Sequence, residues 1–365
     1  SSESRGLGDV YKRQITFSTS IDGVDGTDDD LTINSGTGTL TLQAIGATQA
    51  LSTLNINTAA TSTANISLPN IGDAGNDGVD GATNIGNSLT NQLTISGTIY
   101  KTGGATDYEA KSGNTILLTG VSPTITTGGA DLSFSTGNLV LSSAGTTTFT
   151  TGSGSAGGIT VAGTIDGTNG QDEALALESG SGAIQLQGTI GGTNPVTTLA
   201  INSTNGSAGT IEIVGIGDSD TTGASSTATI GNTSTGTLTL DGTIYKTGGN
   251  QTYVAATGQN IDITGAATFT TTNDAVAFNT SGVDLANDGT TTINTGTGIG
   301  AVSFAGALES DGGSNDLLVI TSGEGDVTFT GAVGATNALG GLDVNSSAGD
   351  GDITFSSTIG DSGNA

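Results

Sequence analysis

Chemistry in this chain falls mainly to oxygen. Histidine and cysteine are both absent, so no Ser–His or Cys–His pair can form and no disulfide can. Carboxylates remain, and they gather in two stretches. "DGVDGTDDD" carries Asp22, Asp25, Asp28, Asp29 and Asp30, and "DAGNDGVDG" carries Asp73, Asp77 and Asp80. Calcium takes about six to eight oxygens from carboxylates, backbone carbonyls and water, and glycine-rich turns offer carbonyls readily. Neither stretch follows the EF-hand pattern, and "GGSNDLLVI" (312–320) falls one residue short of the calcium-binding nonapeptide GGxGxDxUx. Two readings therefore stand for these acids: calcium ligands, or solvated turn residues that keep the surface soluble. The second is simpler, so no cofactor is required and calcium is an optional one.

Other chemistries have less to work with. Two carboxylates suffice for a glycosidase, but the chain offers almost no aromatic surface for a sugar, and no catalytic residue is assigned. Threonine runs such as "GTTTFTT" (145–151) and "GTTTIN" (289–294) raise ice binding. That needs a short strict period, which is missing, so threonine reads as an ordinary strand former. The net charge of −28, without a basic patch, argues against nucleic-acid partners. No stretch has the ~18 consecutive apolar residues of a membrane span.

The elements that would hold these acids are strands. Glycine supplies 63 residues, and Ile, Val and Leu sit among threonines in alternating positions such as Leu31/Ile33, Leu54/Ile56 and Ile116/Leu118. The linkers are Gly, Asn, Asp and Ser, which accept turn geometry. Charged residues are only 11% against 33% apolar, which argues against plain disorder.

The chain also repeats itself. "GTIYKTGG" stands at 97–104 and again at 242–249, and holds two of the three lysines found after residue 14. "LNINTAATSTANISLPNIGD" and "LAINSTNGSAGTIEIVGIGD" align at the same offset of 145, which shortens to 143 further on. This predicts a first unit over 15–158, a second over 159–301 and a partial third over 302–365, so the chain reads as a piece of something longer. Residues 1–14, "SSESRGLGDVYKRQ", hold both arginines and break the composition. They resemble adapter-derived sequence at the start of environmental-DNA translations, and read as an artefact or a disordered leader.

A long repeat, short alternating strands and few aromatics predict an all-β fold, a right-handed parallel β-helix (β-solenoid), with tandem β-sandwiches as the alternative. At ~20 to 25 residues per coil, about fifteen coils would make a rod of roughly 70 Å. Tyr100 and Tyr245 should then occupy equivalent places on one axis. Tyr100 with Tyr108, and Tyr245 with Tyr253, are spaced to stack across neighbouring strands. The octapeptide reads either as an aromatic contact spot or as a packed corner with Lys101 and Lys246 guarding a sheet edge. The packed corner is the simpler of the two.

"TGGNQTYVAATGQNIDITG" (247–265) and "GDVTFTGAVGATNALGGLDVNSSAG" (325–349) resemble the beta-strand-repeat regions of giant bacterial surface proteins. Those regions are similar to filamentous-haemagglutinin-type adhesins and autotransporter passengers. The resemblance covers nearly all of 15–365 and is carried by composition and repetition, not by a strict motif. It implies a non-catalytic stalk at the cell surface or outside the cell, with glycans, other cells or matrix as partners besides the rest of its own chain.

Overall fold

A strand's side chains alternate between its two faces, and the sequence follows that rule closely. Strand Thr115–Leu118 buries Ile116 and Leu118 and turns Thr115 and Leu117 outward. Strand Glu173–Glu178 buries every second residue in the same way. The computed structural model describes residues 14–24, 29–75, 78–152, 156–168, 172–204, 206, 208–312, 316–345 and 350–360. The suspected leader, apart from Gln14, therefore lies outside the described residues. Among these residues the regular structure is strand throughout, and no helix is long and apolar enough to cross a membrane.

Three strands make one coil, for example Thr115–Leu118, Thr124–Thr127 and Leu132–Thr136. The next strand, Asn138–Leu141, lies parallel to Thr115–Leu118, residue on residue, with Ile116 beside Leu139 and Leu118 beside Leu141. Every ladder between named strands is of this parallel kind, and the chain is a β-solenoid of about 13 coils. Sandwiches, which pack antiparallel sheets, are excluded. At ~4.8 Å per coil the rod is about 60 Å long. Coils are longer than composition suggested: the step runs from 22 residues (Ile261 to Val283) to 29 (Ile216 to Tyr245), because some corners carry bulging loops.

The solenoid has three faces. The first runs from Ile15 to Val344; its seven-stranded and five-stranded parts are joined by single bridges at Ile190 and Ile216. The second, eleven-stranded, begins as bridges at Ile21, Ile45 and Ile71 and ends at Phe355. The third, twelve-stranded, runs from Asp30–Ile33 to Leu308–Ser310. Inward residues from all three fill one core of Ile, Leu and Val, each contributing about 1.5–3 kcal/mol by leaving water. Aromatic rings stack within it, coil upon coil. The longest pile is Tyr253, Phe278, Phe304, Phe329 and Phe355, with centroids 4.8–5.3 Å apart and interplanar angles of 5–16°.

The sequence repeat and the coil are out of step. Climbing the second face from Tyr100, six coils pass through Ile125, Phe149, Leu177, Ile201 and Ile230 and arrive at Tyr253. Tyr245, the sequence counterpart of Tyr100, stands one face earlier, on the first face above Ile216. One unit is therefore five and two-thirds coils. The two tyrosines share their local surroundings but not a side of the rod, which corrects the expectation of a common axis position. Strands also pair across the unit boundaries, Leu132 with Ile159 and Val276 with Val302.

Candidate functional site

The acidic corners come first. Asp22 follows Ile21 on the second face. Its Oδ1 accepts the Thr48 N–H of the next coil at 2.8 Å and its Oδ2 accepts the Ser20 hydroxyl at 2.8 Å. The Thr48 N–H is the largest influence holding its pKa below the ordinary carboxylate value. Asp29 accepts the Val24 N–H at 2.5 Å, and Asp30 accepts the Thr53 hydroxyl at 2.7 Å. In the other stretch Asp73 accepts the Gly75 N–H at 2.7 Å, and Asp80 is exposed. Asp25, Asp28 and Asp77 lie outside the described residues. Among the described residues no three acids converge as a metal cage would require. Asp29 reaches back to the Val24 N–H, two residues past Asp22, whereas Asp30 turns to Thr53 on the neighbouring strand.

The Asp22 arrangement recurs in each unit. Asp166 accepts the N–H groups of Thr193 and Asn194 at 2.8 and 3.3 Å, and Glu309 accepts those of Thr336 and Asn337 at 3.0 and 2.9 Å. An acid at this place ties one coil's corner to the next. Sequence reading singled out Asp22 by its dense neighbourhood and passed over Asp166 and Glu309, which do the same work in thinner surroundings.

The octapeptide is a packed corner. Tyr100, Tyr108, Tyr245 and Tyr253 are all fully buried, and burial raises the pKa of each phenol above its ordinary value. The Tyr100 hydroxyl donates to the Leu68 carbonyl of the preceding coil at 2.9 Å and accepts the Gly97 N–H at 2.5 Å. Tyr245 repeats this with Ile213 and Gly242, at 2.9 Å each. The lysines do not guard an edge, since their strands have neighbours on both sides. Lys101 Nζ instead donates to the Ala74 carbonyl at 2.9 Å, and Lys246 to that of Ser219 at 3.1 Å, each pinning a bulging loop. The closing glycines are steric: a Cβ on Gly103 would stand 2.4 Å from the Asp80 carbonyl oxygen, and one on Gly248 2.2 Å from that of Ser225. The rings stack on the coil above and not on each other. Tyr108 lies on Phe134 and Tyr245 on Phe269, while Tyr245 and Tyr253 meet edge-on at 6.4 Å.

A further corner escaped the sequence reading. Asn57, Asn202 and Asn345 have φ of 52, 45 and 50°, a region asparagine tolerates better than most residues. Their side-chain carbonyls accept the N–H of Ser35, Ser179 and Ser322 at 2.7–2.8 Å, and their amides donate to the same serines' hydroxyls. Lining up "LNIN", "LAIN" and "LDVN" across the three units would have found it.

Two surface features bear on function. Asp107 and Glu109 line a shallow concavity of about 230 Å³ with Asn55, Thr58 and Asn84, and no aromatic residue lines it. Burial raises both carboxyls' pKa values, and the Asp107 charge adds to the effect at Glu109. The second unit has Thr252 and Val254 in their place. Outward threonines stack only two coils deep: Thr124 on Thr148 and Thr126 on Thr150, before Ala176 and Glu178 interrupt. That is not the extended rank that ice binding needs.

No protein-family model, no curated protein and no solved structure matches the chain.

Proposed function

We propose that this chain is a non-catalytic stalk segment of a large bacterial surface or secreted protein, adhesin-like in kind, displayed outside the cell. One observation carries the reading: the residues that the repeat keeps, from the octapeptide to the acid and asparagine corners, are occupied in tying coil to coil. A rod built this way holds a distal part away from a surface, or offers many weak contacts to glycans, other cells or matrix along its length. The test pairs small-angle scattering, expected to report a rod near 60 Å, with adhesion of chain-coated beads to cells and immobilised glycans. A compact particle, or turnover of a polysaccharide, would overturn the reading.

A second reading rests on the Asp107 and Glu109 pair. Two carboxyls with raised pKa values in a concavity are the minimum for acid-assisted glycoside cleavage. The concavity lacks an aromatic wall, which favours the stalk. Release of reducing ends from neutral and acidic polysaccharides, lost on Asp107→Asn or Glu109→Gln, would establish the enzyme instead.

A further inference from the structure

The concavity at Asp107 and Glu109 is furnished in the first unit and bare in the second. Its lining stands on successive strands of the third face, where Asn55 lies beside Asn84 and Asn84 beside Asp107. The second unit keeps the same backbone, with Ala200 beside Thr229 and Thr229 beside Thr252, and has no amide or acid at these places. The coil therefore stacks without these groups, and stacking does not account for them.

Their hydrogen bonds are incomplete. The Asn84 amide donates to Asn55 Oδ1 at 2.9 Å, which leaves an acceptor on Asn84 and a donor on Asn55 uncommitted among the described residues. Ser135 fixes Asp107, its hydroxyl donating at 2.9 Å and its N–H at 3.3 Å. Glu109 is worse served. The Thr136 hydroxyl stands 3.4 Å from Glu109 Oε1, but its single proton goes to the Ala110 carbonyl at 2.6 Å. Among the described residues neither acid has an ion pair, and Lys111, two residues past Glu109, makes none. Asp107 and Glu109 alternate with Tyr108 on one strand, so their Cα atoms lie about 6.6 Å apart, within reach of one ammonium group. A cation there would relieve the repulsion that Glu109 feels from Asp107.

A second concavity, of about 290 Å³, adjoins the first at Thr136 and runs over the following coils, lined by Ser112, Asn138, Thr164 and bare glycines. No aromatic and no large exposed apolar side chain lines either one. This decides among cations. A lysine side chain or a polyamine brings methylenes that find no apolar wall. An amino sugar brings hydroxyls beside its ammonium, and these suit the open amide and carboxylate positions. The charge of −28 also draws cationic partners and repels acidic glycans.

We propose that this groove binds a cationic saccharide, a polymer of amino sugars with free amines. One ammonium sits between Asp107 and Glu109, and neighbouring hydroxyls meet Asn55, Thr58 and Asn84. The proposal rests on the adhesive stalk reading, names one of its glycan contacts, and involves no cleavage.

The experiment is calorimetric titration of the whole chain with a tetramer of glucosamine, at fixed ionic strength and a pH at which its amines are charged. The fully N-acetylated tetramer and spermidine are parallel arms. One equivalent of the glucosamine tetramer should bind, and the acetylated tetramer far more weakly. Glu109→Gln and Asp107→Asn should each weaken binding roughly tenfold, the worth of one charge-assisted hydrogen bond. Asn84→Ala should weaken the tetramer and leave spermidine unaffected. Asp284→Asn removes the same charge elsewhere on the third face and should change nothing. Melting curves check that each variant folds, and should Asp107→Asn fail, Glu109→Gln still decides. An equal loss at Asp284→Asn would mean diffuse attraction and overturn the proposal. So would equal binding of the acetylated tetramer, spermidine bound as tightly as the sugar, or no binding at all. The stalk reading is judged apart: a rod whose adhesion to glycans survives Glu109→Gln keeps the stalk and loses this groove.

Discussion

The two octapeptide corners agree at one tyrosine and part company at the next. Tyr100 and Tyr245 keep the same two hydrogen bonds, to carbonyls and amides 145 residues apart. Tyr108 and Tyr253, eight residues on, do not. The Tyr253 hydroxyl donates to Gln251 Oε1 at 3.0 Å, and the Gln251 amide donates to the Tyr245 and Thr270 carbonyls at 2.9 Å each. In the first unit Thr106 stands in place of Gln251, bonds to Thr102, and leaves the Tyr108 hydroxyl buried without a partner among the described residues. The first tyrosine is a tether between coils and needs its oxygen. The second is kept for the volume of its ring, and its oxygen is supported only where a neighbour happens to reach it.

The comparison breaks most sharply if the tethers differ. Tyr100→Ala and Tyr245→Ala should each cost about 3–5 kcal/mol, the range for emptying a large buried aromatic site. Denaturant unfolding should return similar values for both, and a cost in one unit alone would show that the corners are not equivalent. Tyr100→Phe and Tyr245→Phe remove only the hydroxyl. Each leaves the Gly97 or Gly242 N–H without its acceptor, while the Leu68 and Ile213 carbonyls keep the N–H groups of Ser96 and Asp241, so a loss of roughly 1–3 kcal/mol is expected, with faster amide exchange at Gly97 or Gly242.

The second pair should split. Tyr253→Phe deprives Gln251 of its donor and should cost about 1 kcal/mol. Tyr108→Phe removes an unsatisfied hydroxyl and should leave the melting temperature unchanged or raise it. Equal losses at the two positions would mean that Tyr108 has a partner after all.

Smaller effects come from the outward acids. Burial raises the pKa of Asp107, Glu109, Asp262 and Asp284, and at Asp284 the charges of Asp262, Glu309 and Asp311 add to it. A carboxyl raised on folding binds its proton more tightly in the folded chain, so its contribution favours folding at low pH and fades as pH rises through the folded value. Asp22 is lowered and works in the opposite sense, its contribution fading as pH falls through the carboxylate range. Melting temperature should therefore rise on mild acidification, just above the ordinary carboxylate range, before acid unfolding sets in. Asp284→Asn should flatten that rise. Smallest of all, Lys101→Met should change stability by no more than about 0.5 kcal/mol, since its exposed ammonium pins a loop from outside.

Much of the fold was legible because its rule is local. Period-two alternation at Leu93/Ile95 or Ile116/Leu118 names the buried residues directly, and self-alignment names the unit. The face a residue takes was not legible. It depends on how many residues each corner consumes, and a loop such as 217–223 adds to the count without any mark in the apolar pattern. The site fared likewise. Density of acids drew the eye to 22–30 and 73–80, yet burial depends on the coil above and below. Glu173, with an ordinary "DEALALE" around it, showed nothing of its fully enclosed carboxylate until the strand was stacked.

The lag of one face per unit makes the rod a spiral staircase. Whatever the unit displays outward, be it Lys101 or the loop it pins, appears next about a third of a turn round, as at Lys246. A repeat of this kind returns a tread to the same side only after three units, seventeen coils or about 80 Å of rise at ~4.8 Å per coil. A flat partner lying along such a rod would meet a given tread at that long interval, while partners approaching from any direction would find one within a few coils of height.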